Sequence, residues 1–470
     1  MIARELAAWV VGPVTVPAAV EHAALRHLLD GLGNAVAGAR AGAAAPAVTV
    51  ALGLGGPAEA TVLGTTEKIS AVAAGLANGT LVHALDFDDT HAGGLVHSTS
   101  VVLPAAFAVG EQVGATGREI LDAAVVGYEV ACRVAAAAPN GFHSGGLHAT
   151  MVAGVFSSAA IAARLMKLDV ETTVNALGLA GSQAGGLLAF LATGASTKQL
   201  HPGFASQAGI QAARLAAAGA TGPDTVFDGP HGVYEALAPA ALAKGIVDRS
   251  VLTRGLGSPD AADWETTRIG IKPWPTCQLA HVTMAAAQEA LATAGVTAAE
   301  VAGVHAQVHP DSAAVVCATD RDLARPASGY AAKFSLPWSV AAILVDGHVG
   351  VETYTEANLK RAEISDLAAR VTFDVVDPGV VAADAAGDVV LTLTDGRTVA
   401  GHLDRSPGGG SNPLSDEGLF AKFAGNVAPN EPSLAEDLAA ALRALPEAAD
   451  LTLVLTLAAQ AASPVPAQEA

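Results

Sequence analysis

DVVLTLTDGRTVAGH, residues 388–402, is the stretch on which the fold turns. It reads as two short strands joined at Asp395-Gly396, because an Asp-Gly pair between apolar runs is a strong hairpin signal. Working outward, residues 301–308 and 371–376 are also β-rich. Residues 337–346 read as an apolar helix with proline in its first turn. Before residue 245 the pattern is almost wholly helical. Residues 17–36 place Val20, Ala24, Leu28, Leu29 and Leu32 close to helical spacing. Thr116-Gly-Arg-Glu119 matches a capping box that opens a helix through Ala138. Asp169 is placed to cap residues 170–179, and residues 204–218 form an Ala-rich helix. The character changes near residue 268 and returns to helix after the glycine-rich PGGGSNP at 407–413. The order is therefore helical, then α+β, then helical, which makes the chain mainly α.

A chain of 470 residues exceeds one ordinary core, so two domains are expected. Hydrophobic residues make up 51% and charged residues 15%, which raises the question of a membrane span. The strongest candidate, residues 172–197, carries Asn175, Ser182, Gln183 and repeated glycines. The run 147–163 is interrupted by His148, Thr150 and Ser157. Amides in hydrocarbon need partners, and neither run has aromatic or basic flanks, so both read as closely packed core helices. No membrane partner is expected. The N-terminus lacks the basic-then-apolar pattern of a secretory signal. Cys132, Cys277 and Cys317 stand far apart, so no disulfide framework and no metal site is expected, in keeping with a cytoplasmic protein. A formal charge of −20 disfavours nucleic acid as a partner. The 407–413 loop lacks the Lys-Ser/Thr of a phosphate-binding loop and is not part of a βαβ pattern, so it reads as a return loop between domains.

HALDFDDTHAGGLVHSTS, residues 83–100, concentrates the chemistry. His83, Asp86, Asp88, Asp89, Thr90, His91 and His97 cluster where one apolar helical reading, 68–85, ends and another, 98–113, begins. Titratable groups are costly to bury unless paired, so such a run points to a carboxylate-binding, acid/base pocket. The alternative is an Asp-rich turn that caps two helices.

Several separated segments resemble the MmgE/PrpD family: LLDGLG at 28–33, DFDDTH at 86–91, His97-Ser98 and His148-Ala149-Thr150. TKQLHPG at 197–203, KPWPTC at 272–277 with His281, and NPLS at 412–415 with Lys422-Phe423 complete the set. The resemblance implies a large discontinuous all-helical domain, residues 1–267 and 413–458, with a smaller inserted α+β lid domain, residues 268–412. A Pro/Ala-rich tail, 459–470, is expected to be disordered. It also implies a homodimer that uses no metal or organic cofactor on a small anionic carboxylate.

By position, the resemblance makes Asp86, His97, His148, Lys198 and His281 the catalytic candidates. Thr90, His91, His201 and Lys272 are the substrate-binding candidates. The family's reactions pass near a carbanion beside a carboxylate, which calls for proton carriers and fixed positive charge. His148 is expected to move the proton, freed by the Gly145-Gly146 turn, with Lys198 holding a carboxylate. Where decarboxylases of the family keep a tyrosine, this chain has Trp338, whose indole cannot act as a phenolic acid. Dehydration of a 2-methylcitrate-like 2-hydroxy acid is therefore the first expectation. Epimerisation of an iminodisuccinate-like acid is second, and cis-aconitate-type decarboxylation third. A non-catalytic binder of an anionic metabolite is the alternative outside enzymology.

Overall fold

The computed structural model describes residues 1–380, 382, 385–428 and 431–463. The chain divides into two compact units, Met1–Ile269 with Ser415–Ala470, and Gly270–Leu414.

The first unit is a helical assembly. The helices that position the site are α1 (Ala18–Arg40), α2 (Ala71–His83), α3 (Thr99–Val113), α4 (Gly117–Ala136), α5 (Ala149–Leu165) and α6 (Thr197–Ala217). Most of α2, α3, α4 and α5 is buried on every face, as expected of helices that are apolar all round. The Thr116 capping box forms, with Glu119 closing it. Asp169 accepts from the Thr172 N–H, and its helix runs through Gly181. The stretch 172–197 is no single span: it is broken into Val170–Gly181, a turn and the short Phe190–Thr193 helix. Among the described residues no single helix is long and apolar enough to cross a membrane.

Residues after Ser415 return to this unit through a helix further along the chain, Asp416–Val427. The Arg40 guanidinium donates to the carbonyls of Asn426 and Val427, and Asn426 donates to Asn34. Phe423 packs against Gly33, where a Cβ would stand 2.9 Å from its ring. The last helix, Thr452–Ala462, occupies the start of the expected tail, so residues 459–462 are helical rather than disordered. Residues 464–470 lie outside the described residues.

The second unit is α+β. Strands β1 (Val301–Val308), β2 (Val371–Val375), β3 (Gly387–Leu393) and β4 (Thr398–Leu403) form one sheet in the order β2-β1-β3-β4. The β1–β2 pair is parallel, and the β1–β3 and β3–β4 pairs are antiparallel. The hairpin loop is three residues long rather than a bare Asp-Gly turn. The Leu393 N–H donates to the Arg397 carbonyl at 2.8 Å, and Gly396 closes the turn at φ 89°. The sheet shares its core with the helices α7 (His281–Ala294) and α8 (Leu336–Asp346). In the same chain order, Asp416–Val427 is α9.

Candidate functional site

The three carboxylates of the DFDDT run diverge. Asp86 sits at φ 52°, a left-handed conformation uncommon outside glycine, and its carboxylate accepts from the Lys198 ammonium at 2.8 Å. Asp88 takes the Nδ1–H of His83 on both oxygens, at 2.8 and 2.9 Å. Asp89 turns the other way, accepting the Thr99 N–H at the start of α3 and pairing with His27 at 3.2 Å. A carboxylate at a helix N-terminus is stabilised by the exposed amides there, so the capping alternative holds for Asp89. All three are buried.

The ends of α2 and α6 meet because glycines let them approach. A Cβ on Gly79 would lie 2.8 Å from the Gly203 backbone, and one on Gly203 would meet the Leu76 carbonyl and the Thr80 hydroxyl. This crossing sets Lys198, in the first turn of α6, against the chain leaving α2. Gln199 adds a bond to the Ala84 carbonyl at 2.8 Å.

Four imidazoles gather beside that pair. The His83 and His97 ring centroids are 4.7 Å apart, and His148 lies 5.9 and 5.8 Å from them. His201 lies 5.2 Å from His148, with their Nδ1 atoms 3.1 Å apart. His97 Nδ1 donates to the Asp89 carbonyl at 2.9 Å with the Thr90 hydroxyl at 3.1 Å, which leaves Nε2 as the nitrogen that can exchange a proton. Thr150 ties the His97 backbone to the His148 ring, accepting the His97 N–H and meeting His148 Nε2, each at 3.1 Å. His148 is the N-cap of α5, yet its side chain makes no capping bond, so the ring belongs to the cluster and not to the helix end. Burial, then the charges of His97, Lys198, His143 and His201, hold His148 well below the usual histidine range. Burial ahead of neighbouring positive charge likewise brings His201 to about 4, and His143 to about 4. These rings are neutral at physiological pH.

The structure thus brings Asp86, Thr90, His97, His148, Lys198 and His201 together. His91 is elsewhere. Its Nδ1 accepts the Gly94 N–H and its Nε2 donates to Glu265 at 2.9 Å, which commits both nitrogens to a separate charged network. Lys272 and His281 belong to the second unit. There His281, fully buried, has Nε2 at 3.2 Å from the Thr276 carbonyl and packs edge-on against Trp274. Trp338 is part of the second unit's core, 5.4 Å from the Tyr354 ring. Tyr354, a phenol the sequence reading passed over, meets the Ser339 hydroxyl at 3.1 Å.

His143 is a site neighbour that the sequence reading did not name, and His83, Asp88 and Thr150 were quoted there without a site role. His83 and Asp88 stood inside the quoted run, but their five-residue separation straddles a helix end, where periodicity says nothing about contact. Lys422 was quoted for the resemblance alone. From α9 it donates to the Phe87 carbonyl at 2.7 Å, lies over the Phe87 ring and pairs with Asp30. The backbone beside Asp86 is therefore held from 335 positions away.

A helical unit with a buried His/Asp/Lys cluster and an inserted α+β unit define an enzyme-like class, and sequence comparison gives that class its name. The MmgE/PrpD N-terminal domain matches residues 4–244 and the MmgE/PrpD C-terminal domain matches residues 274–446, so the chain belongs to the MmgE/PrpD family. It is similar to the cis-aconitate decarboxylase of Aspergillus terreus, 27% identical over 467 residues that cover 90% of this chain and 88% of that one. It is also similar to the cis-aconitate decarboxylase of Homo sapiens, 28% identical over 383 residues covering 75% and 72%. The cis-aconitate decarboxylase-like protein oryM of Aspergillus oryzae is 31% identical over 284 residues, 58% of either chain.

Proposed function

We propose that this protein is a lyase that acts on a small di- or tricarboxylate by moving a proton at the carbon beside a carboxylate. The observation that carries the reading is one arrangement: the Lys198–Asp86 ion pair abuts a set of buried neutral imidazoles. Asp86 pairs with the Lys198 ammonium and fixes its direction. Lys198 then holds a substrate carboxylate and stabilises the negative charge that develops beside it. His148 or His97 takes the proton. Thr90 and Thr150 fix the orientation of those two rings. His201 supports His148 through the Nδ1 contact. From the family resemblance we carry His281 as a further catalytic candidate and Lys272 as a substrate-binding one. A cytoplasmic homodimer remains part of the proposal, and light scattering at micromolar concentration tests the dimer.

Elimination of water from a 2-hydroxy polycarboxylate is the first reading, because Trp338 stands where the family's decarboxylases keep a phenol. Decarboxylation of a cis-aconitate-like acid is the second, favoured by the names of the curated relatives. Epimerisation follows.

Proton and carbon NMR in deuterated water with citrate-like, aconitate-like and aspartate-like acids separates them. Alkene without loss of carbon dioxide supports dehydration, and released carbon dioxide supports decarboxylation. Deuterium at the carbon beside the carboxylate with neither product supports epimerisation. An acid that binds tightly yet shows no exchange would make the protein a binder and end the enzyme reading.

A further inference from the structure

We propose that His83, His97 and His148 form a binding site for a divalent late transition metal such as Zn²⁺, and that an ion there blocks the proton transfer proposed above. Each of these buried residues offers a ligand nitrogen, and the three nitrogens lie within 4.8 Å of one another. A histidine that ligates metal characteristically has its other ring nitrogen oriented by a carboxylate, a carbonyl or another polar group. All three rings meet that condition. His83 Nδ1 is held by Asp88, His97 Nδ1 by the Asp89 carbonyl, and His148 Nδ1 by His201.

The second observation concerns His83 alone. Its Nδ1 is engaged by Asp88, and its Nε2 is buried and without a hydrogen-bond partner among the described residues. A buried polar atom left in that state calls for a ligand or an ion. Three imidazole nitrogens with an open fourth position suit zinc, at Zn–N distances of about 2.0–2.1 Å. The rings must draw inward to reach such distances, and His148 Nε2 must exchange its Thr150 contact for the ion. Asp88 supplies negative charge behind His83 without itself being a ligand in this set.

Inhibition by the ion rests on the proposed function, whereas binding of the ion does not. An ion on these nitrogens occupies the lone pairs that proton transfer needs.

The test uses the whole chain stripped with chelator and titrated with Zn²⁺ by calorimetry, and separately with Co²⁺ by visible absorption. We expect one saturable site per chain and Co²⁺ bands of a four- or five-coordinate ion. His83→Gln should abolish both. Asp88→Asn, which leaves the ligands in place, should weaken binding by about 10–100-fold. His402→Ala, at an exposed histidine held by Asp388 and Asp404, should change nothing. Circular dichroism confirms folding of each variant. No saturable site, or one indifferent to His83→Gln and Asp88→Asn, overturns the proposal. Deuterium exchange into substrate that continues at saturating Zn²⁺ overturns the inhibitory part. If no acid exchanges even in the stripped chain, the proposed function fails, and the Co²⁺ spectra still decide the metal site.

Discussion

Two buried charged networks lie side by side in the helical unit, and they are built on opposite principles. In one, Arg133 gives its Nε–H to Glu129 and three further N–H groups to the carbonyls of Val251, Arg254 and Asp263. Glu129 in turn accepts from the backbone of Glu265 and Thr266 and from the Thr266 hydroxyl. The two charges pair with each other, and nearly all their other bonds are to backbone, the Thr266 hydroxyl being the exception. In the other, imidazoles face imidazoles, Asp86 holds a left-handed backbone, and His83 Nε2 has no hydrogen-bond partner among the described residues. A saturated network pins chain segments together. The unsaturated one carries a strained backbone and an unsatisfied nitrogen, which persist where function needs them.

Substitutions should break the two networks in different observables. The largest effect is expected from His148→Gln, which keeps size and polarity but cannot carry a proton near neutrality. Turnover should fall by roughly 10²–10⁴-fold, with milder change in apparent affinity and in thermal stability. Lys198→Met should act in the reverse sense, costing about 2–5 kcal/mol in apparent substrate affinity, mostly in KM. Single-mutant kinetics decide between them. Near-normal turnover in His148→Gln, with Lys198→Met inactive but still binding, would reverse the two roles and make Lys198 the proton carrier.

Arg133→Met tests the saturated network. It leaves the Glu129 carboxylate buried without its partner, which should cost about 3–5 kcal/mol of stability by urea denaturation. Activity per folded molecule should stay near normal. A large drop in turnover with unchanged stability would mean that the two networks are coupled and the contrast between them is wrong.

The same contrast explains what was legible in the sequence. The hairpin at 388–402 and the Thr116–Glu119 capping box depend on residues close in sequence, and both formed. The DFDDTH run announced itself by composition, because so many titratable groups in an apolar chain must be paired somewhere. Helix edges were less legible. The reading 68–85 begins with a short strand, Lys68–Ile69, and the helix opens only after Ser70 caps it. The reading 204–218 started late because Pro202 suggests a boundary, yet α6 carries that proline inside and begins at Thr197. The pairing of His83 with Asp88, and the reach of Lys422 to Phe87, are tertiary facts with no periodic signature. Family resemblance pointed to Lys198 and His148, but only the fold shows that His91 belongs to the Glu265 side.

Lys422 joins the two principles, and its replacement should give the smallest effect together with a diagnostic pH dependence. Its bond to the Phe87 carbonyl steadies the backbone beside Asp86. Losing one charge-assisted hydrogen bond, about 1.5 kcal/mol, corresponds to roughly tenfold in turnover for Lys422→Met. Its other partner, Asp30, is fully buried, and that burial raises the carboxyl to about 6 even though the Lys422 charge pulls it down. Removing the lysine raises it further. At pH 5 Asp30 is largely protonated in both folded proteins, so the lost ion pair matters little. As pH rises through 6, the wild-type carboxyl ionises against Lys422. The variant must keep its proton or bury a bare charge. The folded variant then binds more protons than the folded wild type, so its deficit should grow with pH by up to about 1.4 kcal/mol per unit until its own Asp30 ionises. Urea denaturation at pH 5 and pH 8 measures this directly. A deficit that is equal at the two pH values, or larger at pH 5, would show that Asp30 does not titrate against Lys422.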